Sequence, residues 1–213
     1  MSEIILKVPL LNQPKGSPHC AVASMRMLMA YHGETLSHDE AVKHFPEIDT
    51  TRIGITPATA RFLVQGGYDV TYKMHQKDLI SDDIKDKTED DLELFKEYIS
   101  SNDLSESAQR QWEQILKFIE VGGNFSTKLP TLDDIDSYLE KGIPVRVGIK
   151  CSIFYSKPNN EANHAVVIIG KKDERYLIND PAPRFIESYW IDKKQLEDAW
   201  RANGSLLFVA TKK

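Results

Sequence analysis

The sequence has few cysteines and no hydrophobic run long enough to cross a membrane. Its two cysteines, Cys20 and Cys151, are too few for a disulfide framework, so their chemistry matters more than any crosslink. No apolar run approaches the roughly 18 residues that a bilayer requires. The first residues, Met-Ser-Glu-Ile-Ile-Leu-Lys, lack the basic start and the long apolar core of a secretory signal. We therefore expect a soluble, cytoplasmic protein with no membrane partner.

The chain also has no excess of positively charged residues. The 213 residues carry a formal net charge of -5, which argues against a nucleic-acid partner. Hydrophobic residues make up 41% of the chain, enough for a sizeable core. The length fits one domain of ordinary size, and we predict a single domain over residues 1–213.

Acidic residues are concentrated in one segment. Residues 78–106 contain 11 Asp and Glu against 3 Lys, a net charge of -8, and the rest of the chain sums to +3. A capping-box pattern at Thr88 and Asp91 predicts one helix here, and the apolar stripe that begins at Trp112 predicts another. We interpret 78–125 as a helical insertion within the domain. It is either a solvated pair of helices or a lid or arm that screens acidic peptides or binds a basic protein partner.

Helix signals come first in the chain and strand signals later. Ser17 as N-cap, Pro18 as first helical residue and Gly33 as terminator predict a helix that has Cys20 in its first turn. Beyond residue 131, short apolar runs bounded by turn residues predict strands, at 143–149, 165–169, 176–178 and 206–210. Residues 4–8 and 68–72 are two earlier strand candidates. This order predicts an α+β fold.

Four separated residues have the properties that thiol catalysis requires. The start of a helix favours the thiolate form of Cys20. His164 opens a predicted strand and can supply an imidazolium, and Asp180 closes the next strand and can accept from the other ring nitrogen. Gln13 can donate an N–H to an oxyanion together with the backbone of Cys20. The set predicts a cysteine nucleophile.

Three segments of the chain resemble the C39-like branch of the papain-fold cysteine peptidases. They are VPLLNQPKGSPHCAVASMRMLMAYHG (8–33), LDDIDSYLEKGIPVRVGI (132–149) and NHAVVIIGKKDERYLINDPAP (163–183). The resemblance covers about 8–73 and 131–210. It implies a papain-like fold in which an N-terminal helical layer packs on a C-terminal antiparallel sheet.

The resemblance also implies roles for the four residues. Gln13 becomes the oxyanion-hole donor, Cys20 the nucleophile, His164 the general base and acid, and Asp180 the residue that orients His164. The expected function is hydrolysis of a peptide or amide bond through an acyl-enzyme, with no metal or organic cofactor.

Two alternatives remain open. The same fold and nucleophile serve acyltransferases and transpeptidases, in which an amine replaces water. A catalytically inactive domain that binds peptides is the other alternative. The argument for it is Ala21, since the family usually has glycine after the cysteine.

Overall fold

The computed structural model describes residues 3–46, 55–77 and 79–212. The strands are β1 Ile4–Ile5, β2 Tyr68–Lys73, β3 Asn124–Ser126, β4 Val145–Lys150, β5 Asn163–Lys172, β6 Arg175–Asn179, β7 Tyr189–Asp192 and β8 Leu207–Lys212. The helices are α1 Cys20–Tyr31, α2 His38–Lys43, α3 Ile55–Gln65, α4 Leu92–Ser101, α5 Glu106–Glu120, α6 Leu132–Glu140, α7 Cys151–Phe154 and α8 Lys193–Ala202.

All of the strands belong to one sheet. The order is β3-β2-β8-β4-β5-β6-β7, and β1 pairs with β5. Within the described residues the pairing of β2 with β3 is parallel and the other pairings are antiparallel. The predicted α+β fold is confirmed, and β3 and β7 are strands that the sequence patterns did not predict.

The sheet is covered by helices on both faces. Alternate residues of β5 point to opposite sides: Val167 and Ile169 join one hydrophobic core, and Val166 and Ile168 join the other. Helices α1 to α5 contribute to the first core, and α6, α7 and α8 contribute to the second. The N-terminal helical layer is therefore present as expected, and the C-terminal helices add a second layer behind the sheet.

The start of α1 differs from the prediction by a few residues. The N-cap is His19, not Ser17, and Cys20 is the first helical residue. The Ser17 hydroxyl donates to the Pro14 carbonyl at 2.9 Å, so a local turn uses the group that was expected to cap the helix. Gly33 follows the helix with a φ of +81°, the left-handed conformation typical of a helix terminator.

The acidic segment packs into the main core. Residue 78 lies outside the described residues, and 79–126 contains two short 3-10 turns, α4, α5 and β3. The Trp112 ring is completely buried, and its Nε1 donates to the carbonyl of Leu79 at 3.2 Å. Its ring centroid lies 5.3 Å from that of Phe95 and 6.0 Å from that of Phe125. α5 also packs on α3, so this segment shares its core with the helical layer that carries Cys20.

We predict that Trp112→Ala lowers the free energy of unfolding by about 3–5 kcal/mol, because it leaves a large cavity in a fully packed core. Urea denaturation followed by circular dichroism measures this loss. Val121→Ala is the matched control, since Val121 at the end of the same helix is 36% exposed and should cost little. Two separate unfolding transitions in the wild-type protein would contradict the shared core.

Candidate active site

The structure places the Cys20 thiol against the His164 ring. Cys20 is the first residue of α1, and His164 is the second residue of β5, on which α1 packs. The two side chains line the same cleft, and their interaction lowers the pKa of Cys20 and raises that of His164. Two parts of the chain that are far apart in sequence therefore meet at one reactive pair.

Asp180 holds the other side of the His164 ring. The Asp180 Oδ1 atom lies 2.8 Å from Nε2 of His164 and accepts the backbone N–H of Ala182 at 2.8 Å. Asp180 is completely buried. Because Nε2 is engaged by this carboxylate, Nδ1 is the ring nitrogen left for the thiol.

Two tyrosines complete the surroundings of Asp180. The hydroxyl groups of Tyr155 and Tyr189 donate to Oδ2 at 2.5 and 2.8 Å. The carboxylate therefore accepts four hydrogen bonds, two on each oxygen. Sequence reasoning did not identify either tyrosine, since neither belongs to a motif and Tyr155 is 25 residues from Asp180 in the chain.

The environment of Cys20 favours the thiolate. Burial by itself opposes ionisation and raises the pKa of the thiol. The hydrogen bond and charge of His164, the Ala165 N–H and the charge of Arg146 together outweigh burial, so the Cys20 pKa lies below its ordinary value of 9.0. This combination of desolvation with specific charged partners is typical of reactive cysteines.

His164 and Asp180 are also shifted toward their charged forms. Burial lowers the pKa of His164, but its hydrogen bonds to Asp180 and Cys20 outweigh burial and raise it to about 9. Burial likewise raises the pKa of Asp180, and the hydrogen bonds from His164, Tyr155 and Ala182 bring it below its ordinary value. At neutral pH these shifts favour a thiolate, an imidazolium and a carboxylate in one row.

Gln13 is brought to the same place. Its backbone N–H donates to the carbonyl of Pro181 at 2.8 Å, which fixes the loop before α1 next to the Asp180 turn. Its side-chain Nε2 donates to the carbonyl of Ser17, and its Oε1 atom is buried without a hydrogen-bond partner. The structure therefore brings together all four residues that the sequence singled out.

A cleft of about 490 Å³ opens in front of the cysteine. Gln13, Cys20 and His164 line it, together with Arg146 from β4 and Gln111 from α5. The acidic segment thus reaches the cleft through a neutral amide, and none of its carboxylates is among the described lining residues.

The second cysteine also lines this cleft but has different chemistry. Cys151 is 5% exposed, and burial together with the charges of Cys20 and Asp180 raises its pKa to about 11. The thiol of Cys151 therefore stays protonated at neutral pH and is a poor nucleophile.

Candidate metal ligands do not cluster in the described part of the chain. His19 Nδ1 lies 2.8 Å from His38 Nε2, but no group of three His, Cys, Asp or Glu side chains in 3–46, 55–77 and 79–212 is placed to hold a metal ion. No helix in these same ranges is both long enough and apolar enough to span a bilayer.

A helical layer that presents a thiol to a histidine on a central antiparallel sheet defines the class of papain-like cysteine peptidases. The family model named Peptidase C39 like family matches residues 5–207, and the chain belongs to this family of cysteine peptidases. A comparison with curated proteins found no significant match.

Among similar solved structures, the first described here supports the fold. A C39-like peptidase from Bacillus anthracis is 16% identical with a TM-score of 0.52, covering 100% of this chain and 99% of that chain. The peptidase domain of ComA, a bifunctional ABC transporter of Streptococcus, is 15% identical with a TM-score of 0.49 and covers 96% and 98%. A double-glycine-motif protease from an AMS/PCAT transporter, solved with its leader peptide, is 13% identical with a TM-score of 0.49 and covers 100% of both chains.

We predict that Tyr155→Phe and Tyr189→Phe each lower the free energy of unfolding by about 1–3 kcal/mol, because each removes a hydrogen bond to a buried carboxylate. The loss of unfolding free energy in the double variant should differ from the sum of the two single losses, because both hydroxyl groups bind Oδ2 of Asp180. Thermal or urea unfolding measures the losses. Tyr138→Phe is the control, because no hydrogen bond of the Tyr138 hydroxyl occurs within the described residues. Strict additivity would contradict a shared network.

Proposed function

We propose that the protein cleaves a peptide or amide bond with Cys20 as the nucleophile. The observation that carries the proposal is that Cys20 and His164 line one open cleft and act on each other's pKa, while Asp180 holds the other side of the His164 ring at 2.8 Å. The pKa directions of the three groups agree with it, since they favour the charged thiolate and imidazolium together.

The reaction proceeds in two halves. The Cys20 thiolate attacks the substrate carbonyl carbon, and the imidazolium of His164 gives its Nδ1 proton to the leaving amine, so the C–N bond breaks and an acyl-enzyme forms. A water then enters, and neutral His164 accepts its proton as the oxygen attacks the thioester. The C–S bond breaks, the carboxylic acid leaves, and the thiolate returns. Asp180 keeps the ring oriented throughout.

The oxyanion of each tetrahedral intermediate is assigned to two donors. One is the backbone N–H of Cys20, which lies in the first turn of α1, where N–H groups lack partners within the helix. The other is the side-chain amide of Gln13, which has a second N–H beyond the one that binds the Ser17 carbonyl. The bond between Gln13 and Pro181 holds this donor in place before substrate arrives, as preorganised stabilisation requires.

Alkylation by iodoacetamide tests the nucleophile. At pH 6 we expect Cys20 to react far faster than Cys151, because only Cys20 has a lowered pKa and Cys151 ionises at about 11. Peptide mapping by mass spectrometry after timed quenching measures both rates. Cys20→Ser should abolish both this reaction and the turnover of a peptide library, and Cys151→Ser should leave the labelling of Cys20 unchanged. Equal, slow labelling of both cysteines would contradict the proposal.

The role of Gln13 has its own test. Gln13→Ala should lower kcat by about 100- to 1,000-fold, the usual cost of one oxyanion donor. The iodoacetamide rate at Cys20 should change little, because alkylation passes through no oxyanion. Gln111→Ala is the matched control, since it removes another amide that lines the cleft. Loss of labelling in parallel with turnover would show instead that Gln13 supports the fold.

A further inference from the structure

A buried arginine without an acidic partner among the described residues stands in the wall of the cleft. Arg146 is 1% exposed. Its Nη1 donates to the Thr59 hydroxyl at 3.1 Å and its Nη2 to the Thr56 hydroxyl at 2.9 Å. The guanidinium carbon lies 5.1 Å from the centre of the Phe208 ring. Two neutral hydroxyl groups and an aromatic face therefore fix the position of this cation.

Among the described residues, the charge of Arg146 is incompletely satisfied. Its Nε atom is buried without a hydrogen-bond partner, and no Asp or Glu among the described residues forms an ion pair with it. Burial lowers its pKa to about 10, so the guanidinium is still charged at neutral pH. A buried cation without a carboxylate is costly, and such a cost is commonly retained where a ligand supplies the missing charge.

The lining of the cleft would favour an anion. Its described ionisable groups are Cys20, Cys151, His164 and Arg146. Cys151 is neutral and His164 is paired with Asp180, so among these groups the Cys20 thiolate is the negative charge that acts on Arg146. The charge of Arg146 is in excess once Cys20 is acylated. The other polar side chains around it include amides that can donate hydrogen bonds, Gln76, Gln111, Asn163 and Asn203. No carboxylate is present among the described residues of this lining to compete for the guanidinium.

We propose that Arg146 binds a carboxylate group of the substrate next to Cys20. This inference rests on the proposed function, because it assigns a substrate class to the same site. A guanidinium matches a carboxylate through two parallel N–H donors, and Arg146 has N–H groups beyond the two that bind threonines. The carboxylate belongs either to an acidic side chain near the scissile bond or to the C-terminus of the peptide.

Formation of the acyl-enzyme strengthens the argument. When Cys20 becomes acylated its negative charge disappears, while Arg146 stays positive. A substrate carboxylate held by Arg146 would keep this low-dielectric wall neutral during the reaction. Substrates that carry this group should therefore be preferred over matched neutral ones.

Protection of Cys20 from iodoacetamide at pH 7 tests the proposal without requiring turnover. Three ligands of similar size differ in the presence and position of a carboxylate. N-acetylglutamine has it at the C-terminus, N-acetylisoglutamine has it on the side chain, and N-acetylglutamine amide has none. At least one of the two acids should give half-protection at a concentration about tenfold or more below that of the amide. Whichever acid protects better identifies the source of the carboxylate.

Variants assign the preference to the arginine. Arg146→Met should remove it, so that all three ligands protect at similar concentrations, and Arg146→Lys should keep a reduced preference. Lys150→Met is the matched control, since it removes another cation of β4 that is paired with Glu161 and is absent from the lining of this cleft. Half-protection concentrations are compared within each variant, because Arg146 also affects the reactivity of the thiol.

The outcomes are decisive in the wild-type protein alone, which matters if Arg146→Met does not fold. Equal half-protection by all three ligands, or no protection by any of them, would overturn the proposal. A preference that survives in folded Arg146→Met would also overturn it. Failure of the proposed function has a different signature, namely a Cys20 that is no more reactive than Cys151, and protection by the acids can still be measured in that case.

Discussion

The contact between the Cys20 thiol and the His164 ring is the interaction on which the rest of the site depends. It joins the first residue of α1 to the start of β5, so it exists only when the helical layer is packed on the sheet. Burial alone would keep both side chains neutral. Their opposite charges help to reverse that preference, raising the pKa of His164 and lowering that of Cys20. The reactivity of the cysteine is thus a consequence of tertiary packing.

The two buried charges beside this pair, on Asp180 and Arg146, differ in how completely they are hydrogen-bonded. Asp180 accepts four hydrogen bonds, so its charge is fully satisfied and its position is fixed. Among the described residues, Arg146 has two hydroxyl partners and one N–H without a partner. The saturated carboxylate serves an internal purpose, which is to orient His164. The unsaturated guanidinium lines the cleft, where a group from outside the protein can complete it.

The acidic segment packs on the helical layer and also reaches the cleft in front of Cys20. Its charge suggested an appendage, but Trp112 is buried in the same core as α1. The amphipathic stripe of α5 was visible in the sequence, whereas the surface against which it packs was not. Because α5 lies on α3 and also lines the cleft through Gln111, changes in this segment can alter both the stability and the shape of the site.

The sequence by itself determined the local features and the family. Gly33 ends α1 and Cys20 lies at the start of a helix, because these effects act within a few residues of the chain. The prediction that Ser17 is the N-cap of α1 was nevertheless wrong, because the Ser17 hydroxyl binds the Pro14 carbonyl in a local turn. Only the tertiary structure decided that Tyr155 and Tyr189 support Asp180 and that Arg146 enters the cleft. Those contacts join distant strands and helices, and their energies depend on burial, which the order of residues does not specify.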